Sequence, residues 1–312
     1  MVNKFGYFII IISALCYGTM AIFVKFAYAQ GADTYTLLTL RMLTSTIVMW
    51  LYVLFRNPEL GRVKMKDLGL LALQGGIGFT FSSVCLYSAM NYIDAGTASI
   101  LLYTYPTIVS IAAVLIFKER LSWVKVSSLI LTFWGCLFVV RLSKLESAGI
   151  NPVGILYGLG AAIGYSLFSL VGQNTLKRYS SITVSAYSIT FSLLTLMIVQ
   201  PPLYLFKGGV SGAVFMWAFI IAIVSTLLAM TLYLKGIAFV GASRAALIST
   251  VEPVFTVILA MIFLNEKLET IQILGGIMIL AGVINLQREK FVVDKGRELD
   301  KMKKTASWQE LK

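Results

Sequence analysis

The sequence predicts an all-α integral membrane protein of ten transmembrane helices, arranged as two inverted five-helix repeats. Three observations point there. The 312-residue chain is 58% hydrophobic and only 13% charged, with a mean hydropathy of +0.86, whereas soluble domains carry about 25% charged residues. Its apolar residues gather into runs near the ~20 residues needed to cross the hydrocarbon core. A pattern of proline, glutamate and glycine in the first half returns 147 residues later in the second.

The apolar runs are 5–29, 34–55, 67–92, 95–117, 123–142, 152–177, 180–206, 211–236, 241–264 and 269–287. The first follows Lys4 and ends in "AYA" at 27–29, which imitates a signal peptide with its cleavage site. Its length exceeds a typical signal core and Lys25 precedes the site, so a retained first helix is expected. Basic residues punctuate the remaining runs. Arg56, Arg62, Lys64 and Lys66 separate runs two and three; Lys118, Arg120 and Lys125 mark the boundary between four and five; Arg141 and Lys144 precede run six. Lys177 and Arg178, Lys207, Lys235 with Arg244, and Lys267 mark the later boundaries. Beyond run ten the chain turns polar.

The net charge is +12. Its distribution follows membrane topology and argues against a nucleic-acid partner; the lipid bilayer is the expected one. With the N-terminus in the cytoplasm, twenty of the 26 Lys and Arg residues fall inside, four fall outside, and Lys25 and Arg41 lie within helices. This bias predicts both termini on the cytoplasmic side. The three cysteines each lie inside an apolar run with no metal-ligand spacing, and histidine is absent. The commonest general base and metal ligand is therefore missing. No metal, cofactor or catalytic residue is expected, and an enzyme is disfavoured. No GxxxxGK[ST] phosphate loop occurs, so transport would draw on gradients.

The repeat is visible without gaps. "AGTASILLYTYPTIVSIAAVLIFKERLS" begins at Ala95, and "ASRAALISTVEPVFTVILAMIFLNEKLE" begins at Ala242. Pro106 matches Pro253, Glu119 matches Glu266, and Gly135 matches Gly282. The offset holds five spans. Five is odd, so the second copy enters the membrane inverted, as in secondary transporters with midplane sites between repeats. The expected organisation is a first repeat over 1–147, an inverted second repeat over 148–287 and a polar cytoplasmic tail over 288–312.

These residues also carry a family resemblance. Tyr17-Gly18 in helix 1, Arg41 in helix 2, Ala95 to Pro106 leading into "FKERLS", then "GASRAALISTVEPV", "LNEKLE" and "GGIMILAGV" stand in order. Over residues 5–287 the chain resembles the drug/metabolite transporter superfamily, in particular its EamA-type exporters. The resemblance implies ten helices in two repeats and efflux of small metabolites, often amino acids, across a bacterial inner membrane. Tyrosine stands in helix 1 where many members carry tryptophan, which bears on substrate choice.

The candidate site residues are those that do not suit a bilayer. A charge at the centre of a membrane helix costs about 2.5–3.5 kcal/mol on insertion scales. Lys25 and Lys235 lie near helix ends, where their ammonium groups reach the interface. Arg41 and Glu252 lie deep. Each has two readings: a group bordering the transport cavity, or a buried structural contact between helices. In the first reading Glu252 binds a substrate amino group or carries an exchanged proton, and Arg41 attracts a carboxylate. Pro106 and Pro253 are expected to bend helices 4 and 9 at matching points. Tyr17, Tyr103, Tyr105 and Tyr165 are expected to supply some of the cavity lining, with packing as the alternative. Glu119 and Glu266 are expected to serve locally at helix junctions. The glycine pairs Gly154/Gly158 and Gly160/Gly164 are close-packing sites, within the fold or across a homodimer interface. The expected function is secondary active export of amino acids or related amines by alternating access, in exchange for protons. A facilitated uniporter is the alternative, and a membrane-embedded enzyme or scaffold the remoter one.

Overall fold

The computed structural model describes residues 4–89, 91–93, 95–119, 122–139, 151–199, 201, 210–265 and 269–286. Among these, eight helices are long and apolar enough to cross a membrane: α1 (Lys4–Ala29), α2 (Thr34–Arg56), α3 (Met65–Ala89), α4 (Ala98–Phe117 and the turn before it), α6 (Pro152–Thr175), α7 (Ser181–Val199), α8 (Gly212–Val240) and α9 (Ala242–Leu264). Two shorter apolar helices, α5 (Trp123–Val139) and α10 (Thr270–Leu286), take the fifth and tenth places. The ends of runs five, seven and ten, Glu266, and the tail over 288–312 lie outside the described residues. Run eight proves longer than its sequence boundary, reaching Val240, because the helix stops only at Gly241, whose φ of +85° a side chain rarely adopts.

Both proline helices are interrupted just before the proline. In α4, Ala95–Leu102 gives way at Tyr103 and Thr104 to Tyr105–Phe117; in α9, Ala242–Ser249 gives way at Thr250 and Val251 to Glu252–Leu264. Pro106 and Pro253 sit in the first turn of each second half. There the missing N–H is one that the helix start leaves unbonded anyway. The break therefore falls before the proline, at the residues whose carbonyls and amides it disturbs.

The 147-residue offset recurs in the backbone. Each half of α4 has the same bounds as its counterpart in α9 after that shift, and α5 has those of α10. The left-handed caps Lys118 (φ 54°) and Asn265 (φ 52°) are likewise 147 apart. Wide π-turns occupy Leu73–Phe79 in α3 and Ile221–Leu228 in α8, at nearly the same shift. Such segments mark places where the regular ladder yields to packing.

The glycine pairs serve packing within one chain. At the crossing of α3 and α6, a Cβ on Gly164 would stand 2.8 Å from the Ser82 backbone nitrogen, and one on Gly78 2.9 Å from that of Phe168. Ser82 Oγ then donates to Ala161 O at 2.7 Å across the same crossing. Small residues permit this approach of backbones. α1 and α8 make the related pair, with Ser13 Oγ donating to Ala229 O at 2.7 Å.

Polar contacts fix the face that carries Lys4. Asp67, nearly buried at the start of α3, accepts from Arg178 at 2.5 Å and from the Tyr179 hydroxyl at 2.6 Å. That bond pushes the Tyr179 phenol above its ordinary range. Glu119 pairs with the buried Lys125 at 3.0 Å, a local junction role of the kind expected from sequence. Lys25 and Lys235 are exposed, and the Lys235 ammonium lies over the Phe5 ring. The three cysteines are buried free thiols.

Candidate functional site

A cavity of about 560 Å³ lies between the helices. Such a volume suits a small organic molecule. Tyr17, Met20 and Tyr28 of α1, Tyr35 and Leu38 of α2, and Tyr87 and Ser88 of α3 line it, with Asn91 just beyond. Ser99 and Tyr103 of α4, Glu252 and Thr256 of α9, and Leu196 and Val199 of α7 complete the lining. Tyr28, Tyr35, Asn91 and Val199 belong to helix ends and turns on the face opposite Lys4. The cavity therefore reaches from mid-membrane toward that opposite face.

Glu252 is placed by the break in α9. It opens the helix Glu252–Leu264, with its carbonyl accepting from Thr256 Oγ1 at 3.1 Å. The partial positive charge of a helix start favours an acidic group in the first turn. Its carboxylate lines the cavity and has neither an ion-pair nor a hydrogen-bond partner among the described residues. The carboxylate thus borders the cavity, with no hydrogen bond or ion pair to another described residue.

Arg41 lies beside the same space. It is only 4% exposed, yet its Nε has no hydrogen-bond partner and its Nη1 rests 3.3 Å from the Met20 sulfur, a weak acceptor. No carboxylate among the described residues pairs with it. The guanidinium borders a side pocket of about 10 Å³ that shares Met20, Val24, Tyr28, Leu38 and Tyr87 with the main cavity. Arg41 and Glu252 do not form an ion pair with one another. Among the described residues neither this permanent cation nor the Glu252 carboxylate has an ion-pair partner, and both lie beside the cavity.

The four tyrosines named from sequence divide into two layers. Tyr17 and Tyr103 line the cavity, and the Tyr17 hydroxyl is buried without a hydrogen bond of normal geometry. Tyr105 and Tyr165 lie outside the lining, their rings meeting edge to face at 4.8 Å between centroids. Tyr105 donates to Ala246 O at 3.1 Å and bonds to Ser249 Oγ. Farther along, Ser110 and Ser243 join α4 to α9 at 2.8 Å. Tyr165 also packs on Tyr233, whose hydroxyl meets Ser169 at 3.0 Å. This layer closes the space between the cavity and the Lys4 face. Sequence reasoning missed Tyr28, Tyr35, Ser88, Asn91, Ser99 and Thr256 as lining residues. Only the repeat offers a signal for one of them: Ser99 is the counterpart of Ala246, which is already part of the closed layer.

The model of the EamA-like transporter family matches residues 4–141 and 152–286. Among similar proteins, an uncharacterized transporter of Clostridium kluyveri is 25% identical, over 97% of this chain and 99% of its own length. The uncharacterized transporter YcbK of Bacillus subtilis is 25% identical over 86% of this chain and 88% of its own. The uncharacterized inner membrane transporter YicL of Salmonella typhimurium is 21% identical over 88% and 92%. A crystal structure, 17% identical, superposes with a TM-score of 0.74 over 91% of this chain and 96% of that one; it supports the fold.

Proposed function

Since this chain belongs to the EamA-like transporter family and is a multi-pass membrane transporter, we propose that it exports amino acids or related amines in exchange for protons. The observation that supports this reading is a cation and a carboxylate beside one cavity, neither of them ion-paired among the described residues. A zwitterion would place its carboxylate toward Arg41 and its ammonium toward Glu252. Each charge would then gain the ion-pair partner that it lacks among the described residues. The aromatic rings of Tyr17, Tyr87 and Tyr103 between them suit the apolar body of such a solute.

Transport follows from alternating access between two inverted five-helix repeats, residues 1–147 and 148–287. Two features support the repeat: element bounds that recur at 147 residues, and family-matched segments that begin at 4 and 152. The chain resides in a bacterial inner membrane with both termini cytoplasmic, as the basic residues favour. The cavity then opens outward in this state, and the tyrosine–serine layer seals the cytoplasmic side. Glu252 serves ammonium and proton in turn, which makes the exchange obligatory.

The test is efflux from proteoliposomes loaded with amino acids and small amines, with and without an inward pH gradient. Selective loss of one class, faster with the gradient, supports the reading. Loss that ignores the gradient means facilitated uniport, and no loss of any of these solutes defeats the substrate assignment.

A further inference from the structure

The closed side of the cavity contains a pattern for closing the open side. At the Lys4 face, the second half of α4 packs against the first half of α9. Three polar contacts hold it: Tyr105 Oη donates to Ala246 O at 3.1 Å and bonds to Ser249 Oγ, and Ser110 meets Ser243 at 2.8 Å. On the other side, Ala95–Leu102 of α4 and Glu252–Leu264 of α9 flank the cavity, with Ser99 and Glu252 both in its lining. Shifting each residue by 147 converts one arrangement into the other. Tyr105 becomes Glu252, Ala246 becomes Ser99, Ser249 becomes Leu102, Ser110 becomes Val257 and Ser243 becomes Gly96.

We infer that the open side closes by the repeat-related contact, in which the Glu252 carboxyl donates a hydrogen bond to the Ser99 backbone carbonyl. This rests on the inverted-repeat transporter reading above. Inverted repeats that exchange conformations exchange contacts as well. The two closures differ in one chemical respect. Tyr105 is a phenol, whose ordinary titration lies near pH 10, so it is a donor throughout the neutral range. Glu252 is a donor only when protonated; ionised, it is an acceptor facing another acceptor. Val257 and Gly96 add no polar group to compensate. Closing the open side therefore carries a proton inward on Glu252, while closing the Lys4 side carries none. A substrate ammonium on Glu252 competes with that proton and keeps the open side from closing. One carboxyl at a gate contact thus yields antiport without a separate proton path.

The groups facing Glu252 leave this switch to Glu252 itself. Tyr17 of α1, Tyr103 and Tyr105 of α4, Cys136 of α5, Tyr165 of α6 and Tyr233 of α8 lie within its electrostatic reach. All are neutral at pH 7 by their ordinary values. The charge that adjoins this group is Arg41 of α2, which acts on Tyr17.

Cysteine pairs in a background lacking Cys16, Cys85 and Cys136 test the inference in proteoliposomes. S110C/S243C reports closure of the Lys4 side, and G96C/V257C reports closure of the other. Comparing Glu252 with E252Q at one pH cancels the pH dependence of thiol oxidation, because glutamine presents a permanent N–H donor. The expected result is several-fold faster G96C/V257C cross-linking in E252Q than in Glu252 at alkaline pH, the difference shrinking as pH falls. S110C/S243C should cross-link efficiently in the Glu252 background, which also certifies the fold. Equal G96C/V257C rates in both backgrounds at every pH, or no G96C/V257C cross-link beside an efficient S110C/S243C one, overturns the inference. If flux persists in that case, the transporter reading stands and only this gate falls; if flux is absent as well, both fall.

Discussion

Tyr105 and Glu252 occupy the same point of one backbone pattern, 147 residues apart, and meet opposite fates. Each opens the second half of a divided helix and each precedes a proline. The Tyr105 hydroxyl is bonded to α9, whereas the Glu252 carboxylate lines a cavity with no partner among the described residues. A duplicated scaffold thus places a permanent donor at one end and a titratable group at the other.

Replacing Glu252 by glutamine should separate flux from the proton gradient. Wild-type efflux should quicken under an inward gradient, and E252Q efflux should not respond to it. The fold should survive, since no hydrogen bond or ion pair of the described residues is lost. The comparison is initial efflux rate against imposed ΔpH, with melting temperature as the control. A gradient response in E252Q equal to that of wild type would remove Glu252 as the proton carrier.

Arg41→Met should weaken transport of carboxylate-bearing solutes by tenfold or more, while simple amines keep their rate. Tenfold corresponds to about 1.4 kcal/mol. The same variant should melt no lower than wild type, because it removes a buried charge that has no ion-pair partner among the described residues. Lysine at this position keeps the charge but loses the planar fork, so it should rescue only in part. A large drop in melting temperature with unchanged substrate preference would mark Arg41 as a structural residue.

The α3–α6 crossing should resist even one added methyl. Gly164→Ala places a carbon 2.8 Å from backbone, so the helices must separate, at a cost of about 1–3 kcal/mol. Gly69→Ala, also in α3, meets nothing within 4 Å and should be neutral or gain up to about 1 kcal/mol from helix propensity. Thermal melting in detergent distinguishes the two; equal effects would mean that the crossing is looser than these distances imply.

The start of α2 should report acid through Asp33. Partial burial opposes its charge, but bonds from Thr36 and the Tyr35 amide outweigh this and hold the carboxyl below its ordinary range. A lowered value means stability that is full above the ordinary carboxylate range and lost as pH falls through the lowered one. Asp33→Ala should cost about 1 kcal/mol at neutral pH. It should also flatten part of the acid loss in a melting series from about pH 6 to about pH 3. An unchanged acid profile in the variant would show that the cap does not contribute.

Much of this protein was set by local rules that operate along the sequence. Hydropathy located the helices, because a bilayer requires about 20 apolar residues wherever the chain crosses. Pro106 and Pro253 located the divisions in α4 and α9 to within a few residues, because a missing N–H acts on its own turn. The depth of Glu252 and Arg41 was legible for the same reason: position within a span is position in depth. What sequence could not decide was rotation about each helix axis. In a soluble helix a polar stripe marks the outer face, but here both the lipid-facing and the core-facing sides are apolar. Tyr103 and Tyr105, two residues apart, therefore read alike. Only packing against α6, α8 and α9 turned Tyr105 into the closed layer and left Tyr103 on the cavity. The same packing brought Ser99 and Glu252 to one cavity and left Arg41 without an ion-pair partner among the described residues, because those relations join helices that the bilayer constrains separately and only the tertiary fold brings together.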